Sequence, residues 1–258
     1  MNDHAFKLAA PDNSRVLSKP RVEGLTMMMD AGLPLGAQRD WLGFIAPFVD
    51  MVKLVTGTAA LYPEAYLREK LSLYREHDIK PFIGGNFLEN VFAQKGFDGA
   101  EALFTECRSL GIEAIEVSDT VVPIATEDRL ALMKLAQEIG LHAHAEVGSK
   151  LDETSTDKIQ YEIELLMDAG AHIITVEGAE LMQDGVPNTV LCEQISTRFD
   201  QQKILFELCG PWLKGTHNWE AFAVMRFLVE TFGAHVNIGN ALPEMVVEIE
   251  AQRRGLNE

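Results

Sequence analysis

Eight short apolar runs, each followed by a segment of helical period, recur along this 258-residue chain, and that alternation limits the fold more than any other feature. The predicted strands are Leu25–Asp30, Val49–Leu54, Pro81–Asn86, Ala114–Asp119, a fifth inside His142–Lys150, Ile173–Gly178, Ile204–Glu207 and Val236–Asn240. Helical periods are predicted over Leu35–Phe48, Pro63–His77, Phe97–Leu110, Thr126–Ile139 with Thr126 as N-cap, Asp157–Ala169, Thr189–Phe199, Trp219–Phe232 and Pro243–Arg254. Gly111, Gly140 and Gly170 stand just past three of these segments, where a helix end favours glycine. A doubly wound open sheet would more often stop at five or six strands. Eight predict an α/β fold of the (β/α)8 TIM-barrel type, for which ~250 residues is the usual length.

One domain accounts for that length. Residues 1–18 are polar and read as a flexible N-terminal arm, and 19–258 as a single barrel whose core the 47% hydrophobic content can fill. The 39 acidic residues exceed the 22 basic ones by 17, a balance that argues against nucleic acid or an anionic membrane as partner. A small anionic substrate would therefore need a local basic pocket. Cys107, Cys192 and Cys209 are odd in number and far apart, which suits neither a disulfide framework nor a zinc knuckle and fits a reducing cytosol. Met1–Arg15 lacks the apolar core of a signal peptide, and no apolar run reaches the ~18 to 20 residues of a membrane span. A soluble cytoplasmic protein is expected. Barrels of this kind often oligomerise, so a homo-oligomer is expected too, although no apolar helix face fixes its number.

The chemistry is concentrated where the strands end. Glu116, Glu146, Glu177 and Glu207 close four successive apolar runs, so in a parallel barrel they would converge at one mouth. Four converging carboxylates repel one another unless a cation joins them, which makes a hard divalent ion such as Mg2+ the natural partner. Lys53 and Lys150 could add the remaining positive charge, or pair with these acids as buried salt bridges without chemistry. The turn Glu146-Val147-Gly148-Ser149-Lys150 joins an acid to a lysine through glycine and is the leading candidate for the site. Asp30 suits either a functional acid or a cap for the turn after it. His142 and His144 share a strand face with Glu146, but the deeper positions of such a face belong to packed layers, which favours core histidines over metal ligands. Cys209 has no histidine beside it in sequence and reads as an inert thiol.

These residues sit in an ordered set of blocks that resembles the phosphosulfolactate synthase family from about Lys19 to Leu256. The blocks include Lys19-Pro20-Arg21, Asp30-Ala31-Gly32-Leu33-Pro34, Asp50-Met51-Val52-Lys53, Gly84-Gly85 with Glu89, Glu113 to Asp119, Glu146 to Lys150, Phe206-Glu207, Val236 to Asn240 and Arg253-Arg254-Gly255-Leu256. The resemblance implies a (β/α)8 barrel that adds sulfite to phosphoenolpyruvate with Mg2+. It also implies that Lys150 delivers the proton to the intermediate and that Lys53 is its electrostatic partner. From position we expect Glu116, Glu146 and Glu177 to hold the metal. Asp30, Gly84, Gly85, Ser118 and Asn240, at strand ends inside the matching blocks, are expected to contact substrate.

Four departures bear on what is bound. The family's Gly-Trp-Gly-Thr is here Val55-Thr56-Gly57-Thr58, and its Gly-Gly-Thr-Leu-Phe-Glu is Gly84-Gly85-Asn86-Phe87-Leu88-Glu89. Its Arg-Glu-Ser-Gly keeps the glutamate as Glu180 but has Ala179 at the arginine, and its Pro-x-Lys-x-Gln-Gln segment is replaced by Cys209 to Lys214. Arginine grips phosphate, sulfonate and carboxylate through two parallel hydrogen bonds, so its loss alters the anion pocket. Three readings follow: a phosphosulfolactate synthase whose anion contacts moved to Lys214, His217 or Arg254; a paralogous lyase acting on another unsaturated or enolisable acid; or a non-catalytic scaffold, since the fold family also includes plant heat-tolerance proteins. Retention of the acids and both lysines argues against the last.

Overall fold

The structure, a computed structural model, describes Phe6, residues 15–151 and residues 154–256. Eight parallel strands close into a barrel, with β1 (Thr26–Asp30), β2 (Met51–Leu54), β3 (Lys80–Ile83), β4 (Ala114–Val117), β5 (His142–Val147) and β6 (Ile174–Val176) following one another around the wall. A two-stranded antiparallel hairpin, β7 (Met182–Gln183) and β8 (Val186–Pro187), interrupts the series before β9 (Ile204–Glu207) and β10 (Ile238–Ala241) complete it. β10 pairs with β1 and closes the ring. The alternation of periods predicts every barrel strand. It misses the hairpin, whose two-residue strands are too short to show a period.

Helices fill the intervals: α1 (Leu35–Ile45), α2 (Glu64–Arg75), α3 (Gly85–Ser109), α4 (Thr126–Glu138), α5 (Thr156–Asp168), α6 (Thr189–Arg198), α7 (Asn218–Phe232) and α8 (Val246–Arg253). Two expectations need correction. α3 starts directly after β3 instead of at Phe97, and Gly96, at φ 61° and ψ −151°, breaks it into two stretches. Thr126 is the first helical residue of α4, with Ala125 at the cap position. Among the described residues no helix is long and apolar enough to cross a membrane.

The strands are covered on both faces, which is why they read as nearly unbroken apolar runs. Their outward side chains, such as Met28, Val52, Ile115, Val147 and Ile174, join the helices in one large buried cluster. The inward set is smaller: Leu25, Met27, Met51, Phe82, Ala114, Ile173 and Leu205 fill the lower barrel. Because strand side chains alternate, two residues further on each strand points inward again. That step carries Met51 to Lys53, Ala114 to Glu116 and Leu205 to Glu207, so the layer above the apolar plug is charged.

The lower mouth is held by ion pairs. Arg21 donates from Nε and Nη2 to the two oxygens of Asp50, each at 2.9 Å, and from Nη1 to the Pro47 carbonyl. Asp50 also accepts from the Thr26 amide, and Arg253 ties Leu25, Thr26 and Val236 together. Of the expected arm, residues 1–14 other than Phe6 lie outside the described residues. Arg15 is buried and paired with Glu250 at 3.2 Å, so the chain is already attached there.

Candidate active site

The upper mouth opens into a cavity of about 610 Å³. On its floor Lys53, from β2, reaches across the barrel to lie 2.9 Å from Glu116 of β4 and to donate to Glu207 of β9. Lys150, just beyond β5, spans Glu177 at 2.7 Å and Glu146 at 3.3 Å and touches the Thr120 hydroxyl at 3.1 Å. All four glutamates are buried, as is Lys53, while Lys150 is partly open to the cavity. The sequence expectation that these acids converge is met. So is the expectation that the lysines join them.

The turn that presents Lys150 requires glycine. Gly148 has φ +106°, and a Cβ there would fall 2.6 Å from Glu180 Cγ and 3.0 Å from Glu177 Cβ. A larger residue would have to displace the turn and with it the lysine. Glu180 accepts a 2.8 Å hydrogen bond from the Ser149 amide and fixes the far side of the same turn.

Counting Glu116, Glu146, Glu177 and Glu207 against Lys53 and Lys150 leaves a formal charge of −2 in a buried layer. Burial would push the Lys53 ammonium down, but Glu116, Glu207 and Glu146 together hold it well above the usual lysine range. Burial likewise works against the charged form of Lys150, and Glu146, Glu177 and Glu207 overcome it and raise its affinity for the proton. The carboxylates divide. Burial and the neighbouring Glu146 raise Glu177 to about 7, whereas Glu146, despite its burial, is lowered to about 2 by Lys150 and Lys53. Glu116 and Glu207 are raised chiefly by burial. In the absence of a cation this is a cluster that retains protons to relieve its own repulsion.

A divalent ion fits that deficit. One carboxylate oxygen from each of Glu146, Glu177 and Glu207 lies within 4.8 Å of the others, and hard oxygen donors suit Mg2+. The buried Asn240 Oδ1 and Glu116 Oε1 have no hydrogen-bond partner. The geometry groups the acids differently from strand-end position, with Glu207 rather than Glu116 beside Glu146 and Glu177. Glu116 turns instead to Lys53 and to the Gly85 amide, 2.8 Å away. Sequence position could not separate them, since all four acids end strands and only the tilt of the closed barrel decides which three meet.

The expected substrate positions also divide. Gly84, Gly85 and Asn240 line the cavity, with Asn240 donating to Glu207 at 2.7 Å. Asp30 does not reach it. Its carboxylate is bonded to Lys70 at 2.5 Å, Tyr74 at 2.6 Å and the Gly32 and Leu33 amides, so it is the cap of its turn. Ser118 is fully buried and donates to Glu89, which also accepts the amides of Thr120, Val121 and Val122 and so shapes the loop after β4. Thr120 escapes sequence reasoning, because its position two residues past Ser118, in a loop pinned by a distant glutamate, gives no period or motif.

Of the three candidate replacement cations only Lys214 lines the cavity. His217 is exposed at the start of α7, where its amide donates to Glu220, and Arg254 lies at the opposite mouth beside Glu250. His144 packs its ring edge-on to Phe82 and stacks on His172, and burial lowers it to about 3, which makes it a neutral core side chain. The Cys209 thiol is buried and raised to about 11 by that burial, as expected of an inert cysteine.

The fold is shared widely. 3-Hexulose-6-phosphate synthase superposes with a TM-score of 0.54 over 91% of this chain and all of its own, at 14% identity. The carboxyl transferase domain of Rhizobium etli pyruvate carboxylase gives 0.55 over 91% of this chain and 45% of its own, at 17% identity. Sequence relationship is closer elsewhere. The phosphosulfolactate synthase of Methanocaldococcus jannaschii is 30% identical over 90% of this chain and 92% of its own, and that of Methanothermobacter thermautotrophicus is 29% identical over 98% and 96%. The Bacillus subtilis phosphosulfolactate synthase is 27% identical over 99% and 97%, and the Arabidopsis thaliana protein HEAT-STRESS-ASSOCIATED 32 is 24% identical over 48% of this chain. The profile of the family described as (2R)-phospho-3-sulfolactate synthase (ComA) matches residues 14–258. With the acids, both lysines and the glycine turn in place, this chain belongs to the (2R)-phospho-3-sulfolactate synthase family.

Proposed function

We propose that the chain is a lyase working in the synthetic direction, which adds sulfite or a related nucleophile to the β-carbon of a small enol or unsaturated carboxylic acid. The observation that carries this reading is Lys150, partly open to the cavity and held between Glu146 and Glu177 beside the three-carboxylate cluster. A proton donor next to a site for a hard cation suits an addition that builds charge on a carboxylate.

Mg2+ is the proposed cofactor, held by Glu146, Glu177 and Glu207; when bound it would supply charge neutralisation to the substrate carboxylate. Lys53, locked between Glu116 and Glu207, keeps a fixed positive charge under the cluster and so favours the electron-rich carboxylate at little reorganisation cost. Asn240 fixes Glu207 from the other side. As the nucleophile bonds to the β-carbon, the π electrons move towards the carboxylate and the α-carbon becomes basic. Lys150 Nζ gives that carbon its proton. Its raised affinity for protons keeps it in the donor form until the acceptor appears.

Incubation with phosphoenolpyruvate, sulfite and Mg2+, followed by mass spectrometry, is expected to reveal an adduct that needs all three and the protein. An empty result with phosphoenolpyruvate and with every other unsaturated acid tried, at high protein, would refute the addition reading.

A further inference from the structure

We propose that Thr120 is a positioning residue for the proton donor: it holds the Lys150 ammonium against one wall of the cavity, so that the proton reaches a single face of the substrate α-carbon. This rests on the addition chemistry proposed above and extends it to a residue outside the acid cluster.

Thr120 lies in the loop after β4, is buried, and meets Lys150 at both ends of that residue. Its carbonyl accepts the Lys150 amide at 3.2 Å, and its hydroxyl accepts the Lys150 ammonium at 3.1 Å. The first bond fixes where the lysine stem starts and the second where its tip lies. A lysine stem is otherwise flexible, so both are needed to aim it.

The partners of the ammonium show which direction stays open. Its three N–H groups face Glu177 at 2.7 Å, Glu146 at 3.3 Å and Thr120 at 3.1 Å. Of these acceptors Glu146 alone is among the described residues that line the cavity. Thr120 and Glu177 therefore hold the ammonium from the wall, and the N–H on the longest contact is the one that can turn to substrate. Both carboxylates belong to the proposed ion set. Thr120 does not, so its hold is the same with or without the ion. Proton transfer makes one C–H bond at the α-carbon and breaks one N–H bond of Lys150, which solvent reprotonates.

The hydroxyl can be removed without releasing the loop. Glu89 anchors the loop through the amides of Thr120, Val121 and Val122, at 3.0, 3.1 and 2.7 Å. The Thr120 hydroxyl approaches the same carboxylate only at 3.4 Å, too long to be a principal anchor. Valine keeps the branched shape and every one of those amide bonds.

The full chain with phosphoenolpyruvate, sulfite and Mg2+ is expected to give an adduct of one configuration at the α-carbon, read by chiral chromatography with mass detection. Thr120→Val should lower kcat by about tenfold, within the ~10²-fold that a misplaced group can lose, leave KM unchanged and yield a measurable share of the opposite configuration. Thr120→Ser should restore both. Without substrate, the NMR order parameter of the Lys150 ammonium should fall in Thr120→Val and recover in Thr120→Ser, while the Mg2+-induced rise in Tm is kept in each. The proposal is overturned if Thr120→Val leaves kcat, configuration and the order of Lys150 unchanged. It is overturned as well if the loss appears in KM or in the Mg2+ effect instead, which would mark a purely structural role, or if serine restores nothing. If the unaltered chain forms the adduct and Thr120→Val changes none of these readouts, the addition chemistry stands and the positioning role falls. If Thr120→Val loosens Lys150 but no unsaturated acid yields an adduct with the unaltered chain, the hold on the lysine stands and the addition chemistry falls, and with it the role in protonation.

Discussion

The two mouths of the barrel both bury charge, and they use it in opposite ways. At the lower mouth Arg21 and Asp50 meet through two parallel hydrogen bonds, and their other contacts go to backbone groups, the Val16 and Pro47 carbonyls for Arg21 and the Thr26 amide for Asp50. At the upper mouth six ionisable groups leave a formal −2, with Glu116 Oε1 and Asn240 Oδ1 buried and unpartnered. A buried pair whose hydrogen bonds are satisfied holds a structure in register. Unpartnered atoms do not separate the two, since Arg15, Arg253, Arg254 and Glu250 keep some below; what sets the upper cluster apart is a net negative charge at the floor of a cavity of about 610 Å³, which suits it to receive something. The histidines reinforce the contrast, since His144 beneath the cluster is kept neutral by burial while the lysines above it are kept charged by their acids.

The widest separation of the two mouths should come from removing one partner at the lower one. Arg21→Ala is expected to cost about 3 to 5 kcal/mol of stability by leaving Asp50 buried and unpaired, as read by chemical denaturation, with turnover per folded molecule unchanged. A fall in turnover without a fall in stability would break the comparison. The converse holds above. Lys150→Ala should reduce adduct formation by ~10²-fold or more, the usual scale for a placed proton donor, measured in single turnover at saturating substrate. Undiminished turnover in that variant would remove Lys150 from the chemistry.

Metal linkage sharpens which acids count. At about 100 times its Kd, Mg2+ should stabilise the protein by about 2.7 kcal/mol, read as a rise in Tm. Glu207→Gln and Glu146→Gln should abolish that rise, and Glu116→Gln should keep it. If Glu116→Gln abolished it and Glu207→Gln did not, the set expected from strand-end position would be right and the geometric set wrong. The smallest effect concerns His144, whose folded-state value of about 3 lies below the ordinary 6.5. Its contribution is fully present above pH 6.5 and declines below that as the unfolded chain takes up the proton, by about 2 kcal/mol at pH 5. His144→Phe should lessen the pH dependence of unfolding between pH 6.5 and 5, the remainder coming from the stacked His172, which burial lowers to about 4; an unchanged slope would take His144 out of it.

Much of this was legible from residue order. Strand and helix periods, glycines past helix ends and the repeated acid at four strand ends are local signals, because side-chain direction follows from a period of 2 or 3.6 without reference to the rest of the chain. The helix from Gly85 was hidden because Gly84, Gly85 and Gly96 look like turn residues, yet Gly85 enters a helix whose first turn places its amide on Glu116. Asp30 and Ser118 illustrate the reverse error. Both stand where site residues stand, and both are consumed by partners far away in sequence, Lys70 and Tyr74 for one and Glu89 for the other.

The sequence by itself therefore determined the barrel, the mouth at which its acids gather and the lysine turn at their edge, since each follows from short-range pattern. Only the tertiary structure decided which three carboxylates share an ion-sized space, which lysine spans which pair and that Thr120 stands beside Lys150. Those are relations across the barrel, between residues up to 154 positions apart, as for Lys53 and Glu207. They depend on the closure and tilt of the strands, which no local period encodes.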